Sequence, residues 1–298
     1  EEFSLSGIYR MENGLSSRFA LKINSKGEKK VRRDDKPYGK VSEHIGNLPI
    51  VMVSPSDISM VSDSGDERRR FVNAVLSQMD SEYMSSLQQY NRLLQQRNKM
   101  LKDLNPDRSF LEVIDMRMAA LAQPIHEKRC KFIEDLKPIV SEYYKMLSGG
   151  SEQVDIIYES DLFKGPLDSL LTSSYEKDKI LKYTSVGIQR DDFIFRMDEW
   201  PLRRHGSQGQ QKSFLVSLKF AQYDIMKKSY GFAPLLLLDV VFDKLDMGRV
   251  EKLLALVGGD DFGQILITDC NKVRLESTLE RAGKEYQLFT VEGGDVKR

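Results

Sequence analysis

Leu235-Leu236-Leu237-Leu238 closing on Asp239 is the feature that most narrows what this chain can become. An unbroken apolar run of that length fits a strand buried on both faces. Such strands belong to parallel sheets, whose connections are crossover helices. The flanking sequence supplies them. Residues 207–229 carry a helical pattern before the run and 247–257 carry one after it. Residues 263–268 read as the next strand, followed by a helix over 271–282 and a strand over 285–291. The expected class is α/β with a parallel sheet.

The earlier chain reads differently. Over residues 1–53, Phe3, Leu5, Gly7 and Tyr9 alternate with other residues, as do Phe19, Leu21 and Ile23, with turns at Asn13-Gly14 and Lys26-Gly27. Leu48–Val53 is a short buried strand. Residues 66–149 turn helical. Leu87, Tyr90, Leu94 and Leu101 form one stripe; Leu111, Ile114, Met118, Leu121 and Ile125 form a second, continued by Phe132, Leu136, Ile139, Tyr143 and Leu147. Asn105-Pro106-Asp107 turns between them, with Asp107 or Ser109 as N-cap. Pro124 and Pro138 are expected to kink or break the second helix, and Gly149-Gly150 ends it. A strand at 153–158, a helical stretch to about Lys182 and a strand pair over 184–197 follow. The organisation is therefore an N-terminal strand part (1–57), a helical lobe (58–182) and a C-terminal α/β part (183–298).

Composition excludes little. Forty-five basic and 45 acidic residues give a formal net charge of zero, so any nucleic-acid face must come from local clustering. Cys130 and Cys270 form no metal-binding pattern and suit two free thiols in a reducing cytoplasm. No apolar run is long enough to span a membrane. The opening Glu1-Glu2-Phe3 leads straight into a strand pattern, as at a cut within a longer protein.

Two motifs carry chemistry. Asp239 at the C-terminal end of a buried strand would lie where open α/β sheets bind ligands, and resembles a Walker B carboxylate that holds magnesium. The plain alternative is a strand ending in an aspartate that caps a turn. Ser207-Gln208-Gly209-Gln210-Gln211 at a helix start resembles the signature motif of ABC-type ATPases, where a serine and free amides face the γ-phosphate held by a partner head. Its plain alternative is a polar N-cap at Ser207. Gly206–Ser213 also approaches a phosphate loop, but Gln211 stands where the second glycine belongs, and Trp200–His205, not a strand, precedes it. Leu245-Asp246 sits at the distance of a D-loop, and Thr268-Asp269 ends the next strand, where ABC-type heads carry a γ-phosphate switch residue.

Met52-Val53-Ser54-Pro55-Ser56-Asp57, Glu67-Arg68-Arg69-Arg70-Phe71, Tyr90–Asn98, Val186-Gly187-Ile188-Gln189-Arg190-Asp191-Asp192, Ser207–Lys212 and Leu238–Asp246 occur in the order found in the RecF family of bacterial DNA replication and repair proteins. The chain resembles that family over nearly its whole length. Its helical segment is too short for the coiled coils of SMC-type relatives. The resemblance implies an ABC-type ATPase head interrupted by a helical lobe. It implies an ATP- and magnesium-dependent homodimer acting on double-stranded and gapped DNA, with RecR and RecO as partners in loading recombinase. Nucleotide would contact Ser207, Gln208, Gly209, Gln210, Asp246 and Thr268, and magnesium would contact Asp239.

The sequence departs from the family pattern in three places. No phosphate loop occurs among these residues, so this stretch alone is expected not to bind ATP. Val240 stands where the family has the acidic residue that polarises the attacking water, so no catalytic residue is assigned, and slow or absent hydrolysis is expected. Gln189 replaces a histidine. For DNA, Arg68, Arg69 and Arg70 form the densest cationic cluster, with Lys29-Lys30 and Arg32-Arg33 as a second; a solvated face or intramolecular ion pairs is the competing account. The competing function is a degenerate head that scaffolds DNA or protein without hydrolysis.

Overall fold

The computed structural model describes residues 2–10, 14–103, 106–150, 152–259, 261–270, 275–277, 279–280 and 285–297. Four antiparallel strands open the chain, in the order β1 (Phe3–Arg10), β2 (Ser16–Ile23), β3 (Lys29–Arg33) and β4 (Lys36–Pro37). The alternation puts apolar residues on one face, Leu5 opposite Leu21 and Leu21 opposite Val31. The β2–β3 turn rests on Asn24, whose Oδ1 accepts the amides of Lys26 and Glu28, and on Gly27 at φ +79. Asn13 of the first expected turn lies outside the described residues.

Strand β5 (Ile50–Val53) leads into the helices α1 (Ser59–Ser62), α2 (Gly65–Met79), α3 (Ser81–Met100) and α4 (Arg108–Ser148). Asp107 caps α4, its carboxylate accepting the Phe110 amide at 3.2 Å, and Gly149 at φ +87 ends it. The helix is continuous through Pro124 and Pro138, so of the expected kink or break, the break does not occur. A proline costs a helix interior about 3 kcal/mol. Here buried Ala122, Ile125, Phe132, Leu136 and Val140 run past both prolines against α3 and α7, and that packing outweighs the local loss.

Strand β6 (Val154–Glu159), helix α5 (Leu167–Leu181), strands β7 (Asp192–Met197) and β8 (Trp200–Pro201) and the single turn α6 (Leu202–His205) follow. Only β7 forms from the strand pair expected over 184–197, and it pairs with β6. Residues 184–191 are instead a polar loop with Gly187 at φ +114, held by buried side chains. Helix α7 (Gln208–Tyr230), strand β9 (Leu235–Asp239), helix α8 (Met247–Val257) and strand β10 (Ile265–Thr268) match the expected alternation. The sheet is parallel, in the order β10–β9–β5.

One face of that sheet is closed. Val51, Val53, Leu236 and Leu238 are buried in the core, each stabilising by about 1.5–3 kcal/mol. The other face is not. Met52, Leu237 and Leu266 share it in register, and Met52 and Leu266 are exposed. The four-leucine strand is thus fully buried on one side in this chain, not two. Helix α7 is the central packing element, with Phe214, Leu215, Val216, Leu218, Phe220, Ala221 and Tyr223 buried against α4 and the sheet. Of the helix expected over 271–282, residues 271–274, 278 and 281–282 lie outside the described residues; 275–277 and 279–280 are helical. The expected last strand is replaced by a hairpin of β11 (Thr290–Glu292) and β12 (Asp295–Lys297), because Gly293 and Gly294 both take positive φ and turn the chain back.

Candidate nucleotide half-site at the sheet edge

The C-terminal edge of the parallel sheet gathers the residues singled out in sequence. Asp239 lies beside Thr268 across the β9–β10 ladder, and the Thr268 hydroxyl donates to Asp239 Oδ1 at 2.5 Å. The next residue extends the pairing, as the Val240 amide donates to the Thr268 carbonyl at 3.0 Å. Val240 has φ +47. That left-handed region suits glycine, asparagine or aspartate and strains a β-branched side chain. The isopropyl group therefore stands on a backbone shaped for a different residue, and it offers no proton acceptor.

Helix α7 points its first turn at the same edge. Ser207 Oγ accepts the Gln210 amide at 3.2 Å, and Gln210 Oε1 accepts the Ser207 amide at 2.7 Å, a closed capping box. Gln210 is held further by its Nε2–H to Glu152 at 2.8 Å. Ser207 and Gln208 remain exposed, so the helix presents its positive end to solvent. At Gly209 a Cβ would stand 3.4 Å from Arg249 and 3.5 Å from the Lys244 carbonyl, ordinary contact distances, so nothing within this chain requires glycine there. Asp246 caps α8 by accepting the Arg249 amide at 2.9 Å and pairs with the Arg249 guanidinium at 3.2 Å. Arg249 in turn donates to Ser213 Oγ on α7 at 2.9 Å. Lys212 ties the two halves together, its ammonium donating to the Val240 carbonyl at 3.4 Å. Burial holds the Lys212 pKa below its usual value, even though Asp243, Asp57 and Asp239 pull it up.

These groups fit a magnesium nucleotide better than a free ion. No cluster of three or more acidic, histidine or cysteine ligands occurs among the described residues. Magnesium bound to phosphates needs only one or two protein oxygens and keeps its waters, and Asp239 could supply one, oriented by the Thr268 hydroxyl. Two clefts lie elsewhere. One, of about 870 Å³, is lined by Tyr143, Asp224 and Phe262; the other, of about 1040 Å³, by Arg69, Arg70 and Gln189. A half-site completed by a second copy need not be concave in one copy, so the edge is the better candidate on chemistry.

The arginine cluster divides. Arg68 forks onto Asp192 at 2.8 and 2.9 Å and also donates to the Met60 and Asp63 carbonyls. Arg69 donates to the Asp191 carbonyl at 2.5 Å and pairs with Asp66. Both guanidinium groups are thus engaged within the chain. Arg70 is 74% exposed, with a pairing to Glu67 one turn away.

Sequence reasoning missed the buried polar network behind these arginines. Arg129, on α4, donates to Asp191 and to the Ile188 carbonyl, to Tyr83 and to Asn73. Tyr158 donates to Asp191 at 2.6 Å. Arg97, fully buried, pairs with Asp115 and Asp178 and bonds Thr184. Gln189 gains a role: its amide oxygen accepts the Tyr90 hydroxyl at 2.5 Å and its amide donates to the Val186 carbonyl. The Gln-Arg-Asn and Gln-Arg-Asp-Asp segments were the signal, since charged residues inside apolar stripes are buried only with partners.

No protein-family model matches the chain. It is 43% identical over 98% of its length to the DNA replication and repair protein RecF of Parabacteroides distasonis, covering 80% of that protein. It is 40% identical over 99% of its length to the RecF of Bacteroides fragilis, again covering 80%. Among solved structures it is similar to the recombination mediator protein RecF-ATPrS of the RecFOR pathway, with a TM-score of 0.84 and 25% identity over 99% of this chain and 80% of that one. An SMC head bound to the C-terminal winged-helix domain of ScpA shares the fold alone, at a TM-score of 0.51 and 12% identity. The order of the diagnostic segments, the sheet edge they build and this identity over almost every residue place the chain in the RecF family of DNA replication and repair proteins.

Proposed function

We propose that the protein is an ATP-responsive DNA-binding dimer of recombinational repair, acting at gapped or junction DNA with RecO and RecR. The observation that carries this reading is the shared edge: the exposed start of α7 stands beside Asp239 and Thr268, joined through Lys212. Ser207 and the amides of Gln208 and Gly209 would face the γ-phosphate held by the partner copy. Asp239 would hold magnesium, with the Thr268 hydroxyl fixing its orientation. Asp246 would lie at the seam between copies. Bound nucleotide supplies the negative charge that draws the two edges together.

Val240 favours a second reading of the same site, in which the dimer forms on ATP but hydrolyses it slowly and acts chiefly as a scaffold. Both readings require nucleotide-dependent dimerisation through Ser207. Sedimentation velocity of the protein expressed from its full reading frame, with ATP and magnesium, is expected to show a dimer for the wild type and a monomer for Ser207→Arg, whose long side chain would fill the phosphate position. A Ser207→Arg protein that dimerises as readily as wild type would remove the signature role. Phosphate release by the wild type then separates the readings.

A further inference from the structure

The antiparallel ribbon β1–β3 carries a charge pattern that the nucleotide half-site does not use. Strand alternation splits the contiguous pairs Lys29-Lys30 and Arg32-Arg33 between two faces. Phe19 and Arg33 belong to the inner face, where Phe19 is buried against Tyr9 and His44 and Arg33 bonds Asn47 at 3.0 Å. The outer face carries Arg10, Arg18, Lys22, Lys30 and Arg32, all exposed. Ser4, Ser6 and Ser16 stand among them. Among the described residues the only ion pair on this face joins Lys22 to Glu2 at 3.1 Å. Asp34, at the turn beyond β3, accepts the Arg18 backbone amide and pairs with Arg33. The chain as a whole is neutral, so the excess here is local and not a by-product of basic composition.

We propose that this outer face binds the phosphate backbone of double-stranded DNA. The inference rests on the reading of the protein as DNA-binding and adds the surface. Lys22 and Lys30 sit directly opposite each other, a like-charge cross-strand pair that destabilises a sheet unless a polyanion lies over it. From the Arg10–Ser16 pair to the Lys22–Lys30 pair the patch runs about 20 Å at about 3.4 Å per residue. That matches roughly six base pairs at about 3.4 Å of axis each. Arginine, lysine and serine are the usual phosphate ligands. The face carries no aromatic side chain on which a base could stack. Binding through it is therefore independent of sequence and tracks the duplex backbone.

Anisotropy of a fluorescein-labelled duplex, read across a salt series, tests this. Each lost phosphate contact lowers the slope of log affinity against log salt by about 0.9. Arg18→Ala combined with Arg32→Ala should reduce it by about 2, with an unchanged melting temperature because both side chains are exposed. Lys30→Glu should weaken binding further. Lys177→Ala with Lys228→Ala, equally exposed but off the ribbon, should leave the slope unchanged. Wild type binding duplex with a slope unaltered by the ribbon variants overturns the surface and leaves the DNA reading standing. Wild type failing to bind duplex at low salt overturns both. Ribbon-dependent binding to phosphatidylserine vesicles, with duplex binding untouched, would show that the wrong polyanion was chosen.

Discussion

Replacing Val240 probes the backbone strain and the missing carboxylate at one position. A residue at φ +47 that is neither glycine nor asparagine-like is disfavoured by about 1–2 kcal/mol. Val240 is half-buried, so any polar replacement also loses apolar contact. Val240→Ala and Val240→Asn both remove the apolar branch, but only asparagine is at ease in the left-handed region. Asparagine should therefore be more stable than alanine by about 1 kcal/mol. At about 2.1 cal/mol/K per residue, a chain of 298 residues shifts its midpoint by about 1.6 °C per kcal/mol. A difference of about 1.5–2 °C between these variants in differential scanning calorimetry is thus expected. The catalytic arm uses Val240→Asp against Val240→Asn in the protein expressed from its full reading frame. A positioned general base contributes about 10²–10⁴-fold, so ATP turnover should rise by two orders of magnitude or more for aspartate and not for asparagine. Asparagine melting at or below alanine would refute the strain argument. Aspartate with wild-type turnover would refute the assignment of position 240 as the place of the water-polarising acid.

Two further expectations come from the buried network. Arg129→Met leaves Asp191 charged and buried with one partner fewer, which costs about 3–5 kcal/mol, or about 5–8 °C on the same entropy scale. Adding Asp191→Asn should recover part of that, and a double variant no more stable than the single one would contradict the ion-pair account. For Asp192, burial alone would raise the carboxyl, but the forked bond and charge of Arg68 outweigh it and hold the pKa below its ordinary value. A depressed folded pKa contributes stability above the unfolded value, near 3.9, and loses it as pH falls through the folded value. The stability gap between wild type and Arg68→Gln should then begin to narrow as pH falls below about 4; a gap that stays constant down to pH 3 would mean that Arg68 stabilises through packing and its carbonyl bonds instead.

The elements from α7 to β10 were legible because period and length agree there. A 23-residue helix and strands of five and four residues leave little room for another assignment, and Ser207 and Asp246 are caps that local chemistry dictates. What was not legible depended on distant partners. Nothing near Pro124 or Pro138 says that packing against α7 will keep α4 continuous through both. Nothing near residue 184 says that Arg97 and Arg129, dozens of residues away, will hold that segment as a loop. The arginine cluster shows the same limit with more consequence. A run of cations reads as a surface for anions, and whether it is one depends on carboxylates placed by the fold. Arg68 meets Asp192, 124 residues later, whereas the less conspicuous cations of β1–β3 meet almost none. The segments most diagnostic of the family are thus largely its internal framework. Under the proposed reading, contact with nucleic acid would fall instead to ribbon residues such as Lys30 and Arg32, which strand alternation separates from Lys29 and Arg33 and sorts onto one face.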